Sequence, residues 1–202
     1  MDAELIWRHI DEQRLALADL LDGLSAQQWS VPSLCAGWTV REVAAHITQS
    51  QWRPVRFVLP ALRARLRFDA MMSQLALSDH RTPEQLVAAL RAMPGCRRRP
   101  PGTTEVDPLM DMLVHGQDIA VPLGIEHAMP VPAAAAVADR LWRMRFPLNP
   151  SRRLPGMRFV ATDVDFAVGE GLRIEAPIRD IVLAFADRPV VLPELSGGPA
   201  PA

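Results

Sequence analysis

The chain has 202 residues, of which 49% are hydrophobic and 22% charged, proportions typical of a soluble globular domain with at most a small appendage. Its formal net charge is −1, which argues against the long-range attraction that draws proteins to nucleic acid or anionic membranes. The first residues are charged and amphipathic, and no apolar run approaches the roughly 18 residues of a membrane span. Cys35 and Cys96 are too few for a disulfide framework. We therefore expect a cytoplasmic protein with neither a nucleic-acid nor a membrane partner.

The first 145 residues are predicted to be helical. Apolar residues recur there at helical spacing, and we expect helices to begin near Ala3, Val40, Leu59, Pro83, Pro108 and Pro132. Thr39 precedes Glu42 by three residues, the spacing in which a hydroxyl and a carboxylate cap a helix start. Pro83 stands at a first helical position, which tolerates proline. The helix from Val40 should continue into the fifties, where Pro54 would bend or end it.

Beyond Pro147 the pattern changes. Alternating residues from Arg158 to Val168 predict a strand, and residues 172–176 predict a second strand after a glycine turn, which together make a β-hairpin. A last helix should run from Ile178 to Ala186, and residues 196–202 are predicted to be disordered. The sequence thus predicts a mainly α protein in which residues 1–146 form a helical bundle. Residues 147–195 would form a hairpin and helix packed on that bundle.

Three polar residues could share one site on the predicted helices. His46 lies on the inward face of its helix, although an inward histidine by itself is more often a hydrogen-bonded core residue. Asp111 and His115 are four residues apart, so they lie on one helix face about one turn apart. Such a pair can bind a metal ion between facing helices, or it can be a solvent-exposed Asp–His pair. Three protein ligands would leave one coordination position open, as in catalytic zinc sites.

Three stretches of the sequence resemble the mycothiol-dependent maleylpyruvate isomerase family, which belongs to the DinB-like superfamily of metal-binding helical bundles. The first comprises Trp29, residues 32–35 (PSLC) and residues 37–46 (GWTVREVAAH). The second comprises residues 114–119 (VHGQDI) and residues 122–124 (PLG). The third comprises residues 160–166 (VATDVDF) and residues 194–197 (ELSG). Together they span most of the chain in the family's order.

The resemblance implies a DinB-like up-and-down four-helix bundle with a divalent metal, most simply zinc, held by His46, Asp111 and His115. It also implies mycothiol as the thiol cofactor and a small electrophile as the substrate. These three ligands would then be catalytic through the metal, in an isomerase or a thiol S-transferase. Asp118, on the same helix, would either orient His115 from behind or cap or pair at the surface.

The chain departs from the family pattern at three places. Asp111 stands where many relatives have glutamate, Ala120 and Val121 stand where arginines are common, and a hairpin with a helix stands where the isomerase has a larger C-terminal domain. A second hypothesis therefore stays open, in which the bundle is a non-catalytic metal- or ligand-binding module that acts as a sensor or binds a partner. The sequence gives no oligomeric state.

Overall fold

The protein was analysed as a computed structural model that describes residues 1–49, 68–99 and 102–189. These residues are mostly helical with one small sheet, which confirms the predicted fold class. The helices are α1 Ala3–Asp22, α2 Ala26–Trp29, α3 Val40–Gln49, α4 Phe68–Leu77, α5 Pro83–Arg91, α6 Val106–Ala120, α7 Val131–Arg143, α8 Pro150–Arg153 and α9 Ile178–Phe185. The strands are β1 Met157–Ala161, β2 Ala167–Gly169 and β3 Leu172–Ala176.

Three sequence-based expectations lie outside the described residues. They are the bend at Pro54, the helix start near Leu59 and the disordered tail at residues 196–202. None of the described helices has the length and hydropathy that a membrane span requires.

Side chains cap the helices where the sequence predicts their starts. The Asp2 carboxylate accepts a hydrogen bond from the Leu5 amide at 2.8 Å and begins α1. Before α3, the Glu42 carboxylate accepts from the Thr39 amide at 2.8 Å and from the Thr39 hydroxyl. Thr82 and Gln85 cap α5 reciprocally, with Pro83 at the tolerated position. These caps satisfy amide groups that a helix start leaves without intrahelical partners.

By their contacts, the described residues divide into two compact units, and the first runs from Asp2 to His127. In this unit α1 packs against α5 and α6, while α3 packs against α4, α5 and α6. The packing buries one apolar face of each helix, as shown by Ile10, Leu17, Val43, Leu90 and Leu113, all at most 1% exposed. Because α3 lies directly on α6, side chains from these two helices can share one site.

The second unit comprises Met1 and the residues from Ala128 onward, with α7 packed on α9. Its core holds an aromatic cluster in which the Phe185 ring lies 5.1 Å from Trp142 and 4.9 Å from Phe159, centroid to centroid. The domain boundary predicted at residue 147 falls inside this unit and stays a prediction.

The sheet differs from the predicted hairpin. Its strand order is β2-β1-β3, with β2 antiparallel and β3 parallel to β1, so the strands on either side of the glycine turn are not paired with each other. The predicted strand from Arg158 to Val168 is interrupted because the chain turns back after Ala161, whose amide donates to the Phe166 carbonyl at 2.9 Å. In that turn Asp163 accepts a hydrogen bond from the Ile178 amide at 2.9 Å and so caps α9.

Glycine permits the close approach that the parallel pairing requires. Gly171, just before β3, has a φ of +113°, and a Cβ there would lie 2.2 Å from the carbonyl oxygen of Gly156. Any other residue would therefore clash with the backbone that precedes β1.

A buried polar network fixes the C-terminal end of α3. The Asp79 carboxylate accepts from Arg81 Nη2 at 2.6 Å and from Gln49 Nε2 at 3.1 Å. Gln49 Nε2 also donates to the Leu75 carbonyl at 3.0 Å, and Arg81 Nη2 donates to the Thr48 hydroxyl at 2.7 Å. Burial favours a higher pKa for Asp79, but the hydrogen bonds from Arg81 and Gln49 outweigh it and lower the pKa to about 2.

We expect Asp79→Asn to destabilise the protein in a pH-dependent way. A carboxyl whose pKa falls from 3.8 to about 2 on folding contributes about 2 kcal/mol to the free energy of unfolding above pH 4. Because the folded-state pKa is the lower one, this contribution decreases as the pH falls from about 4 toward 2. Urea unfolding gives the free energies of unfolding of the wild type and the variant. The difference between them at pH 3 should be about half the difference at pH 7. An equal difference at both pH values would contradict this assignment.

Candidate metal centre

Helices α3 and α6 bring the three predicted ligands together. His46 projects from α3, and Asp111 and His115 project from α6 one turn apart, with one ligand atom of each lying within 4.8 Å of the others. The Asp111 Oδ1 atom lies 3.5 Å from His46 Nε2 and 3.4 Å from His115 Nε2. Two imidazole nitrogens and one carboxylate oxygen thus converge on a single point, which is a donor set that zinc takes in catalytic sites.

Asp118 lies behind His115, as one of the two sequence-based alternatives predicts. Its side chain is fully buried, and Oδ2 lies 2.8 Å from His115 Nδ1. A carboxylate can only accept there, so the hydrogen bond places the imidazole proton on Nδ1 when the ring is neutral. The Nε2 lone pair is then directed toward Asp111, where it is available to a metal.

Trp38 packs against both histidines, a contact that sequence reasoning missed. Its ring centroid lies 5.1 Å from that of His46 and 6.4 Å from that of His115, and the residue is only 8% exposed. The two imidazoles are 4.8 Å apart at nearly right angles. In the sequence, the only signal for this contact is the position of Trp38 just before α3. That position by itself indicates a residue that packs in the turn before the helix. The indole therefore restricts the orientation of both rings.

The loop that carries Trp38 is tied to the ligand helix. The Leu34 amide donates to the Asp118 carbonyl at 3.1 Å, and the Ser33 hydroxyl donates to the Trp38 carbonyl at 2.8 Å. The amide of Trp38 donates in turn to the Cys35 carbonyl at 3.0 Å. These bonds hold the indole in place before α3 begins.

The carboxylates and imidazoles shift one another's pKa values. Burial favours a higher pKa for Asp111, but hydrogen bonds from His115 and His46 outweigh it and hold the pKa well below its usual range. Burial alone would lower the pKa of His115, yet hydrogen bonds to Asp111 and Asp118 raise it to about 9. The two carboxylates thus attract positive charge to this point, and a divalent cation would compete with the proton for His115 Nε2.

His46 has a polar contact with Asp111 through Nε2 only, and the Nδ1 side of its ring is held by packing in the described part of the chain. Its Nδ1 atom is buried and has no hydrogen-bond partner among the described residues, in contrast to His115. The ring contacts of Trp38 and His115 therefore orient it.

The residues after Ile119 give the site no basic side chain. Ala120 is fully buried on α6, and Val121, directly after the helix, is 43% exposed. The arginines that the family resemblance implies at these two positions are therefore not present in this chain.

Comparisons with known proteins agree with the resemblance seen in the sequence. Residues 10–99 match the family model described as "Mycothiol maleylpyruvate isomerase N-terminal domain". No curated protein matches the chain at a significant level.

Two solved structures share the fold. They are a crystal structure of the mycothiol-dependent maleylpyruvate isomerase and that of a mutant, each with a TM-score of 0.62 at 12% sequence identity. Each alignment covers 92% of this chain and 89% of the matched chain. The expectation that the isomerase has a much larger C-terminal domain than this chain is therefore wrong, since the alignment covers 89% of the matched chain. Residues 10–99 are thus similar in sequence to the N-terminal domain of the mycothiol maleylpyruvate isomerase family, and the chain shares the fold of the solved isomerase over most of its length.

Proposed function

We propose that the chain is a metal- and mycothiol-dependent enzyme, an isomerase or a thiol S-transferase, acting on a small electrophile. The observation that carries this proposal is the convergence of His46, Asp111 and His115, whose ligand atoms lie within 4.8 Å of one another. We propose zinc as the metal, because two imidazoles and one carboxylate with an open position are typical of catalytic zinc. The family and the structural neighbours support mycothiol as the thiol.

The residues have separate roles in this proposal. His46 and His115 bind the ion through Nε2, and Asp111 adds a negative charge that holds it. Asp118 keeps the proton of His115 on Nδ1, and Trp38 covers one side of both rings and excludes water there. When bound, a divalent ion with an open position stabilises the thiolate form of a thiol whose own pKa is about 8.5.

A non-catalytic metal-binding or sensor module is the competing candidate. The specific observation that favours it is the absence of basic side chains at Ala120 and Val121, since a substrate carboxylate would lack an arginine partner there. Metal analysis combined with a thiol-conjugation assay distinguishes the two, because the module would bind metal without accelerating the reaction.

Removal of one proposed ligand should remove the metal. We expect His46→Ala to lower zinc affinity by more than the roughly 10–100-fold that losing an outer hydrogen-bond partner costs. Asp111→Asn should lower it less, because an amide oxygen still coordinates without the charge. The exposed His80 is the matched control, and His80→Ala should bind zinc as the wild type does. Full zinc occupancy of His46→Ala in elemental analysis would refute the ligand assignment.

Asp118→Asn should weaken zinc binding although it contacts no metal. The asparagine amide can donate to His115 Nδ1, which moves the ring proton to Nε2 and blocks the ligand atom. We expect an affinity lower by about 10–100-fold, measured by competition with a zinc-binding dye. If the variant bound zinc as tightly as the wild type while remaining folded by circular dichroism, Asp118 would have only a structural role.

Purified protein should accelerate the conjugation of mycothiol to a small electrophile. The rate should depend on added zinc, disappear in His115→Ala and persist in His80→Ala. Glutathione should react more slowly, because contacts with the sugar part of mycothiol supply binding energy that orients the thiol. The proposal would be refuted if metal-free protein were as active as the metal-loaded form. It would also be refuted if mycothiol left the absorption spectrum of the cobalt-substituted protein unchanged.

A further inference from the structure

The second unit contains a cleft that the proposed function does not use. Its volume is about 680 Å³, within the range of small-molecule binding pockets. We call it the arginine cleft, and it is lined by Trp142, Arg143, Arg145, Asn149, Ser151 and Arg152. It lies between the end of α7 and the short helix α8.

The lining is positively charged and contains no acid. Arg143 is paired with Asp139 across one helical turn at 2.8 Å, but both side chains are exposed, so this pair holds the guanidinium only weakly. The side chains of Arg145 and Arg152 have neither an ion pair nor a hydrogen bond within the described residues. Most other arginines described in the structure do have an acidic or carbonyl partner, and the neighbouring Arg153 shows the contrast. It bonds Asp187 and the last carbonyls of α9.

The walls of the cleft are held in place from behind. The Trp142 ring packs on Phe185 and Phe159 at centroid distances of 5.1 and 6.0 Å, which fixes the one aromatic surface of the cleft. Arg153 anchors α8 to the end of α9 and thereby positions the segment that presents Ser151 and Arg152. The aromatic wall and the backbone of α8 are therefore fixed before a ligand binds, whereas the exposed arginine side chains would be ordered by the ligand.

We propose that the arginine cleft binds a small organic anion, a carboxylate or phosphate attached to a flat apolar group. Guanidinium groups bind both head groups in bidentate fashion, and the half-buried Trp142 offers a surface for stacking. The Ser151 hydroxyl and the Asn149 amide can donate further hydrogen bonds to the head group. This site goes beyond the proposed function, because none of the metal ligands belongs to the second unit.

Calorimetric titration of the full chain with benzoate, phenyl phosphate and benzyl alcohol tests the proposal. We expect at least one of the two anions to bind saturably and at least tenfold more tightly than the neutral alcohol. The anion that binds more tightly identifies the head group. Binding should also shift the indole N–H resonance of Trp142, which Trp142→Phe identifies among the five tryptophans.

A matched pair of double variants locates the binding. Arg145→Ala with Arg152→Ala should weaken the anion at least tenfold. Arg8→Ala with Arg158→Ala removes the same charge from two exposed arginines that have no ion pair in the described part of the chain, and it should leave the affinity unchanged. Equal weakening in both double variants would reduce the effect to net charge and overturn the proposal. The proposal would also be overturned if neither anion saturated the protein at about 10 mM, or if benzyl alcohol bound as tightly as the anions. An indole N–H resonance of Trp142 that did not shift on binding would overturn it as well.

Discussion

The side chain of Asp118 is completely buried in α6, and its carboxylate and backbone carbonyl hold different parts of the proposed metal centre. The carboxylate accepts from His115 Nδ1, and the backbone carbonyl accepts from Leu34 in the loop that leads to Trp38. A buried carboxylate without hydrogen-bond partners would be strongly destabilising, and the bond to His115 is one of the contacts that offset this cost for Asp118. The orientation of the imidazole and the path of the loop are in this way fixed by the same residue.

The site places two carboxylates and two imidazoles within a few ångströms of one another. Asp111 and Asp118 lie on either side of His115, and their charges keep a proton on that ring well above its usual range of pH. Without a metal, the cluster therefore stores positive charge as a proton on His115, and in the proposed function a divalent ion would take over the same electrostatic role. The proposed chemistry would depend on this exchange, since the ion would add an open coordination position that a proton cannot offer.

Local sequence patterns were sufficient for the starts of most of the described helices and for placing Asp111 and His115, two of the proposed ligands, on one helix face. The caps at Thr39 and Thr82 act within one turn, and the spacing of Asp111 and His115 alone puts both on one face, so each could be predicted from neighbours in the chain. The stacking of Trp38 on the imidazoles, the Asp79 network and the parallel pairing of β1 with β3 depend on residues far apart in sequence. Alternation indicated strands but not their partners, because the turn after Ala161 is set by Asp163 capping a helix 15 residues later.

The ligands of the proposed metal centre are divided unevenly along the chain. The segment that matches the family model ends at residue 99 and contains His46, whereas Asp111, His115 and Asp118 follow it on α6. A gene fragment that transferred only the matched segment would carry a single ligand and a tryptophan with one of its two histidine neighbours. The centre can therefore be inherited or exchanged only together with α6. Loss of the helix register in α6 would displace Asp111, His115 and Asp118 together.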